Sequence, residues 1–100
     1  MIDFAGITGF DWDEGNARKN EKHGVSTAEA EQVFFNAPLL LTDDKHSQQE
    51  ARHHALGKTD DGRLVHVSFT LRESGRLIRV ISARDMHRKE RTIYEQANED

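Results

Sequence analysis

Cysteine is absent from the 100-residue chain, which removes disulfides and thiolate chemistry. Proline occurs once, at Pro38, and so marks a single enforced boundary. No apolar run approaches the ~18 residues of a membrane-spanning helix. The opening Met1-Ile2-Asp3-Phe4 lacks the basic and apolar regions of a secretion signal, so a cytoplasmic protein is expected. There is no internal repeat, no low-complexity stretch and no linker. No glycine-rich phosphate loop and no nucleophile elbow is found. What remains is enough for one domain over residues 1–100. Leu, Ile, Val and Phe number 22, just above the ~20% below which charged chains tend to stay unfolded.

Charge is unevenly placed. The whole chain carries −4, but the segment Arg76 to Arg91 holds six basic residues against Asp85 and Glu90. An acidic whole argues against broad affinity for nucleic acid, while a basic stretch within it suits one phosphate path. The plainer reading of such a stretch is a solvated helix face.

The order of elements predicts an α+β fold. It has two N-terminal helices, a mainly antiparallel four-stranded sheet and a C-terminal helix. Phe10-Asp11-Trp12 reads as a short strand or an extended lead-in. Asp13 caps a helix running to about His23, with Gly24 beyond its end. Ser26 and Glu29 have capping-box spacing, and Pro38 stops the second helix. Strands are expected at Leu39–Thr42, Arg52–Thr59, Leu64–Leu71 and Leu77–Ala83, with Asp61-Gly62 and Ser74-Gly75 as turns. Met86 to Ala97 contains no breaker and reads as the last helix.

Alternation then separates two faces. Val65, Val67, Phe69 and Leu71 share one, and His66, Ser68 and Thr70 the other. Pairing Arg72 with Leu77 brings Thr70 beside Arg79, Val67 beside Ser82 and Ser68 beside Ile81. A two-residue turn at Asp61-Gly62 sets Leu56 against Val67 and His53 opposite Thr70. Arg79, His53, His66, Ser68 and Thr70 then line a polar face, while the helices cover the apolar one. A slip of one residue would exchange His53 for His54.

The residues that carry a family resemblance run in order along nearly the whole chain. They are Phe10-Asp11-Trp12-Asp13-Glu14-Gly15-Asn16, Lys22-His23-Gly24-Val25, Lys45-His46-Ser47 with Glu50 and Arg52, and Gly62-Arg63. Arg79-Val80-Ile81-Ser82-Ala83-Arg84-Asp85-Met86 follows, with Glu90-Arg91 and Tyr94. The set resembles the BrnT toxins, small ribonucleases of bacterial type II toxin–antitoxin systems with a RelE-like fold. The resemblance implies metal-independent RNA cleavage and neutralisation by a BrnA-like ribbon–helix–helix antitoxin. Two toxins would join an antitoxin dimer, and the complex would reach operator DNA through the antitoxin to repress its own operon. His87 stands where the family carries a Ser, Thr or Asn helix cap.

Cutting RNA without a metal needs a base for the 2′ proton, an acid for the leaving 5′ oxygen and cations for the phosphorane. Arg79 and Arg84 are the candidate cations, because a guanidinium forks onto phosphate and stays charged. The plainer role for either is an ion pair with Glu50 or Glu90. His46 leads the candidate proton carriers, ahead of His53, His23 and His66. The plainer reading of His23 is a cation at a helix end, and that of His66 an ordinary strand residue, while Glu50 is an orienting carboxylate. Lys22, Arg52, His53, Arg88, Arg91 and Tyr94 are the candidate RNA contacts. Arg84, Arg88 and Arg91 would form one helical stripe if the helix began early, and Tyr94 would stack a base or pack on the sheet. His46, His53 and His54 match no compact metal motif, so no cofactor is expected. The competing function is a non-enzymatic module whose basic strip recognises a protein or DNA.

Overall fold

The computed structural model describes residues 6–15, 18, 24–43 and 51–98. Its elements are β1 (Gly9–Phe10), α1 (Thr27–Phe35), β2 (Leu39–Asp43), β3 (Arg52–Lys58), β4 (Leu64–Arg72), β5 (Leu77–Asp85) and α2 (Arg88–Ala97). The helix expected over 13–23 lies largely outside the described residues. Within it Glu14, Gly15 and Arg18 are helical, and Arg18 pairs with Glu14 one turn earlier.

Among the described residues the sheet has five strands rather than four, in the order β1-β5-β4-β3-β2. The addition is β1, parallel to β5 through Gly9 beside Leu77 and Phe10 beside Ile78. The other three pairings are antiparallel.

Helix α1 forms where its caps allow. Ser26 Oγ accepts the Glu29 N–H and the Glu29 carboxylate accepts the Ser26 N–H, both at 3.1 Å. Val25, Ala30 and Val33 are fully buried against Val65, Val67, Phe69, Ile78, Val80 and Ala83 of the sheet. Phe34 meets Phe69 edge to face at 5.0 Å between ring centres. Each buried Val, Ile or Phe of this set contributes ~2 kcal/mol of transfer free energy, which anchors the sheet's first face.

Two registers differ from expectation, each for a local reason. The β3–β4 loop holds three residues, Asp60, Asp61 and Gly62, between a paired Thr59 and Arg63. Gly62 takes φ +86° there, as the left-handed closing residue of a three-residue hairpin. An odd loop moves the register by one. Ala55, not Leu56, therefore faces Val67, and His53 faces Phe69, not Thr70. The end of α1 holds this loop: Asn36 donates to the Lys58 carbonyl at 2.9 Å, and Gln32 accepts the Asp60 N–H at 3.0 Å.

The second difference is a bulge in β5. Arg72–Leu77, Leu71–Ile78, Thr70–Arg79 and Phe69–Val80 pair as expected. Ile81 is then passed over, so Ser68 meets Ser82 and Val67 meets Ala83. Without the extra residue Arg84 would fall beside Val65 in the apolar core. With it, Ala83 enters the core and Arg84 turns to the opposite face beside His66.

Helices do not cover one face alone. Helix α2 lies on the face opposite α1, where Tyr94 packs with Leu56 and Met86 and is flanked by Leu39 and Leu64. His87 precedes the helix, and Glu90 supplies the reaching-back half of the cap by accepting the His87 N–H at 2.8 Å.

Candidate active site

The face under α2 carries two cross-strand rows fixed by the registers. One runs Leu41, His54, Ser68, Ser82 from β2 to β5. The other runs Leu39, Leu56, His66, Arg84 over the same strands. Helix α2 covers the Leu39 end of the second row with Tyr94 and adds Glu90 and Ile93 as a wall. What stays open is a groove of about 440 Å³.

Arg84 and Glu90 form its charged end. Arg84 Nη1 donates to Glu90 Oε1 at 2.8 Å and Nη2 to Oε2 at 2.9 Å. Nη1 also reaches the Asp85 carbonyl at 3.1 Å. The guanidinium carries five N–H donors, and this arrangement uses three. The hydrogen bonds from Arg84 are the main reason the Glu90 pKa is lowered to about 2; burial opposes them, and the His87 N–H adds to the lowering.

The histidines occupy the middle. The His54 and His66 rings lie 4.9 Å apart, tilted by 33°. His54 Nδ1 is 2.9 Å from Ser68 Oγ, which orients the ring. Only 9% of the His66 side chain is exposed, with its Nε2 3.9 Å from Glu90 Oε2. Its Nδ1 is buried without a hydrogen-bond partner. Burial, seconded by the Arg84 charge, lowers the His66 pKa to about 4, so the ring is neutral at pH 7.

The expected site residues scatter across the fold. Arg84 and His66 enter the groove. Arg79 does not line it: its guanidinium is held by Asp13 and, at 3.4 Å, by Asp11, both on the segment following β1. His53 points into the α1 side, 5.4 Å from the Phe69 ring, because of the loop register. Arg52 opens β3 opposite Asp43. Arg88 and Arg91 are exposed on α2, but Arg84 belongs to β5, so the three form no single helical stripe. Tyr94 is only 8% exposed and packs in the core rather than standing free to stack a base. His23, Lys22, His46 and Glu50 lie outside the described residues. Among the described residues, no three His, Asp or Glu side chains converge to hold a metal ion.

His54 and Ser82 are polar groove residues that sequence reasoning did not place on this face. His54 was one register step away. Glu90 was foreseen as an ion-pair partner for Arg84, and the structure shows that pair, but its place in the wall of the groove depends on how α2 crosses the sheet.

Comparison with known proteins places this geometry. The family model described as "Ribonuclease toxin, BrnT, of type II toxin-antitoxin system" matches residues 12–90. The fold is similar to the crystal structure of the Brucella abortus ribonuclease toxin BrnT, with a TM-score of 0.62 and 21% sequence identity. That match covers 82% of this chain and 100% of the Brucella chain. No curated protein matches the sequence. The matched span takes in both helices' starts, all the long strands and every polar residue of the groove, and the chain belongs to the BrnT family of type II toxin–antitoxin ribonuclease toxins.

Proposed function

We propose that this chain cleaves RNA without a metal ion, by attack of the substrate's own 2′-OH, in the groove between the sheet and α2. The observation that carries the reading is the meeting of a guanidinium, two histidines and a carboxylate in one groove. Arg84 keeps donors for a non-bridging phosphate oxygen while Glu90 fixes its plane. His66, held neutral, accepts the 2′ proton, and an incoming phosphate raises its basicity. His54, oriented by Ser68, is the second proton carrier. The 2′-oxygen bonds to phosphorus, the bond from phosphorus to O5′ breaks, and O5′ leaves with a proton. Arg84 stabilises the charge of the phosphorane between these events. Exposed Arg88, Lys89 and Arg91 on α2 suit the phosphates that flank the groove.

The same reading gives the partner. A BrnA-like ribbon–helix–helix antitoxin would inhibit by covering the groove and excluding RNA. Its two-fold symmetry allows two toxins per antitoxin dimer. Operator repression would run through the antitoxin, since the toxin is acidic overall.

The test is cleavage of RNA by purified protein in EDTA, with analysis of the new ends and a parallel arm with antitoxin added. The expected products carry 2′,3′-cyclic phosphate and 5′-hydroxyl ends, and antitoxin suppresses them. Products with 5′-phosphates, or complete loss of activity in EDTA, would overturn the mechanism.

A further inference from the structure

The groove changes chemistry strand by strand in one direction. At β5 it presents the Arg84 guanidinium with Glu90. At β4 and β3 it presents the two imidazoles of His66 and His54, 4.9 Å apart. At its β2 end it presents Leu41, with Ile93 of α2 beside it and the buried Leu56 of β3 at the floor. Leu41 and Ile93 are 41% and 38% exposed, and with Phe35 they are the exposed large apolar side chains among the described residues. Two of those three therefore flank one polar groove.

A nucleotide has the same sequence of chemistries: an anionic phosphate, a hydroxylated sugar, then a flat apolar-faced base. Three strand spacings from β5 to β2 amount to ~14 Å, the reach of one extended nucleotide. The groove's volume of about 440 Å³ leaves room for it.

We infer that the groove is a single-nucleotide subsite, with phosphate at Arg84, ribose against His54 and His66, and the base lodged between Leu41 and Ile93. This rests on the ribonuclease reading and adds an orientation and a set of base-contacting residues to it. It places the 2′-OH at the histidines by position alone. The side chains at the β2 end offer no hydrogen-bond donor or acceptor. They hold a base by contact area and do not read its edge, so the base subsite is tolerant of base identity. It also demands an unstacked base, and a nucleotide within a duplex does not enter.

The test separates this placement from catalysis. Nucleoside 3′-monophosphates and ribose 5-phosphate are titrated into the full chain, followed by NMR of side-chain methyl and imidazole signals. Saturable shifts are expected at Leu41, Ile93, His54 and His66 with the nucleotides. Ribose 5-phosphate should move the histidines, leave the methyls unmoved and bind ~10-fold more weakly. Leu41→Ala should weaken the nucleotide ~5-fold and leave ribose 5-phosphate unchanged. Ile93→Ala gives a second reading on a different element. Equal affinity for nucleotide and ribose 5-phosphate, shifts confined to the Arg88–Arg91 surface, or no saturable binding would each overturn the inference. Nucleotide binding at these methyls without RNA cleavage would leave the placement standing and remove the ribonuclease reading. Cleavage with nucleotide bound elsewhere would do the reverse.

Discussion

Between about pH 6.5 and 4, acid should destabilise this protein largely through His66. In the fold its pKa falls from the ordinary 6.5 to about 4, mainly because burial disfavours the imidazolium. The groups facing it act in both directions: the Arg84 and His54 charges lower the value further, and Glu90 raises it. Between these two values the unfolded chain binds a proton that the native chain refuses. Stability is therefore complete above about pH 6.5 and falls as the pH drops toward about 4. Each pH unit is ~1.4 kcal/mol, so the whole window is worth ~3 kcal/mol for a side chain this buried. Glu90 does not confuse the window, since its own pKa is lowered to about 2 and its contribution is lost below the ordinary 4.5. His53 has a pKa lowered by burial and adds a loss of the same sign, so the comparison needs a variant. Urea unfolding of the wild type and His66→Gln at several values from pH 7.5 to 4 measures it. The variant should lose ~2–3 kcal/mol less than the wild type over that interval. Parallel curves for the two proteins would refute the placement of His66 as a buried neutral base.

Three further outcomes follow from the same geometry. Arg84→Lys should cut RNA cleavage ~100-fold or more, because a lysine cannot hold Glu90 and phosphate together; wild-type rates in the folded variant would remove Arg84 from the site. Arg79→Ala should leave cleavage largely intact and cost at most ~1 kcal/mol in urea unfolding, since Arg79 sits outside the groove in a surface network with Asp11 and Asp13; loss of activity in a folded variant would place it in the site instead. Gly57→Ala should destabilise by ~1–3 kcal/mol, because its new Cβ would stand 3.0 Å from Val33 Cγ1 and 3.3 Å from the Pro38 ring; an unchanged urea midpoint would show that α1 yields freely.

Local chemistry was legible where neighbouring residues alone decide it. The Ser26–Glu29 box, the stop at Pro38, the four long strands and the last helix all depend on contacts a few residues apart. The family resemblance was legible for the same reason, because it rests on ordered short motifs. The site was legible only in part. The family motif singles out Arg84 and alternation sets His66 on the polar face, while the structure turns His53 to the α1 side and realises the packing alternative for Tyr94.

The sequence by itself determined the α+β class, the apolar face carried by Val65, Val67 and Phe69, and the family. The tertiary structure decided which polar residues meet. A three-residue loop instead of a two-residue turn replaced His53 with His54 on the site face. One bulged residue, Ile81, turned Arg84 out of the core and onto that face. The position of α2 across the sheet then brought Glu90 to Arg84 and buried Tyr94. The reason is the two-residue period of a strand. A single inserted residue reverses every side chain beyond it, and which insertion is tolerated depends on what both faces must bury.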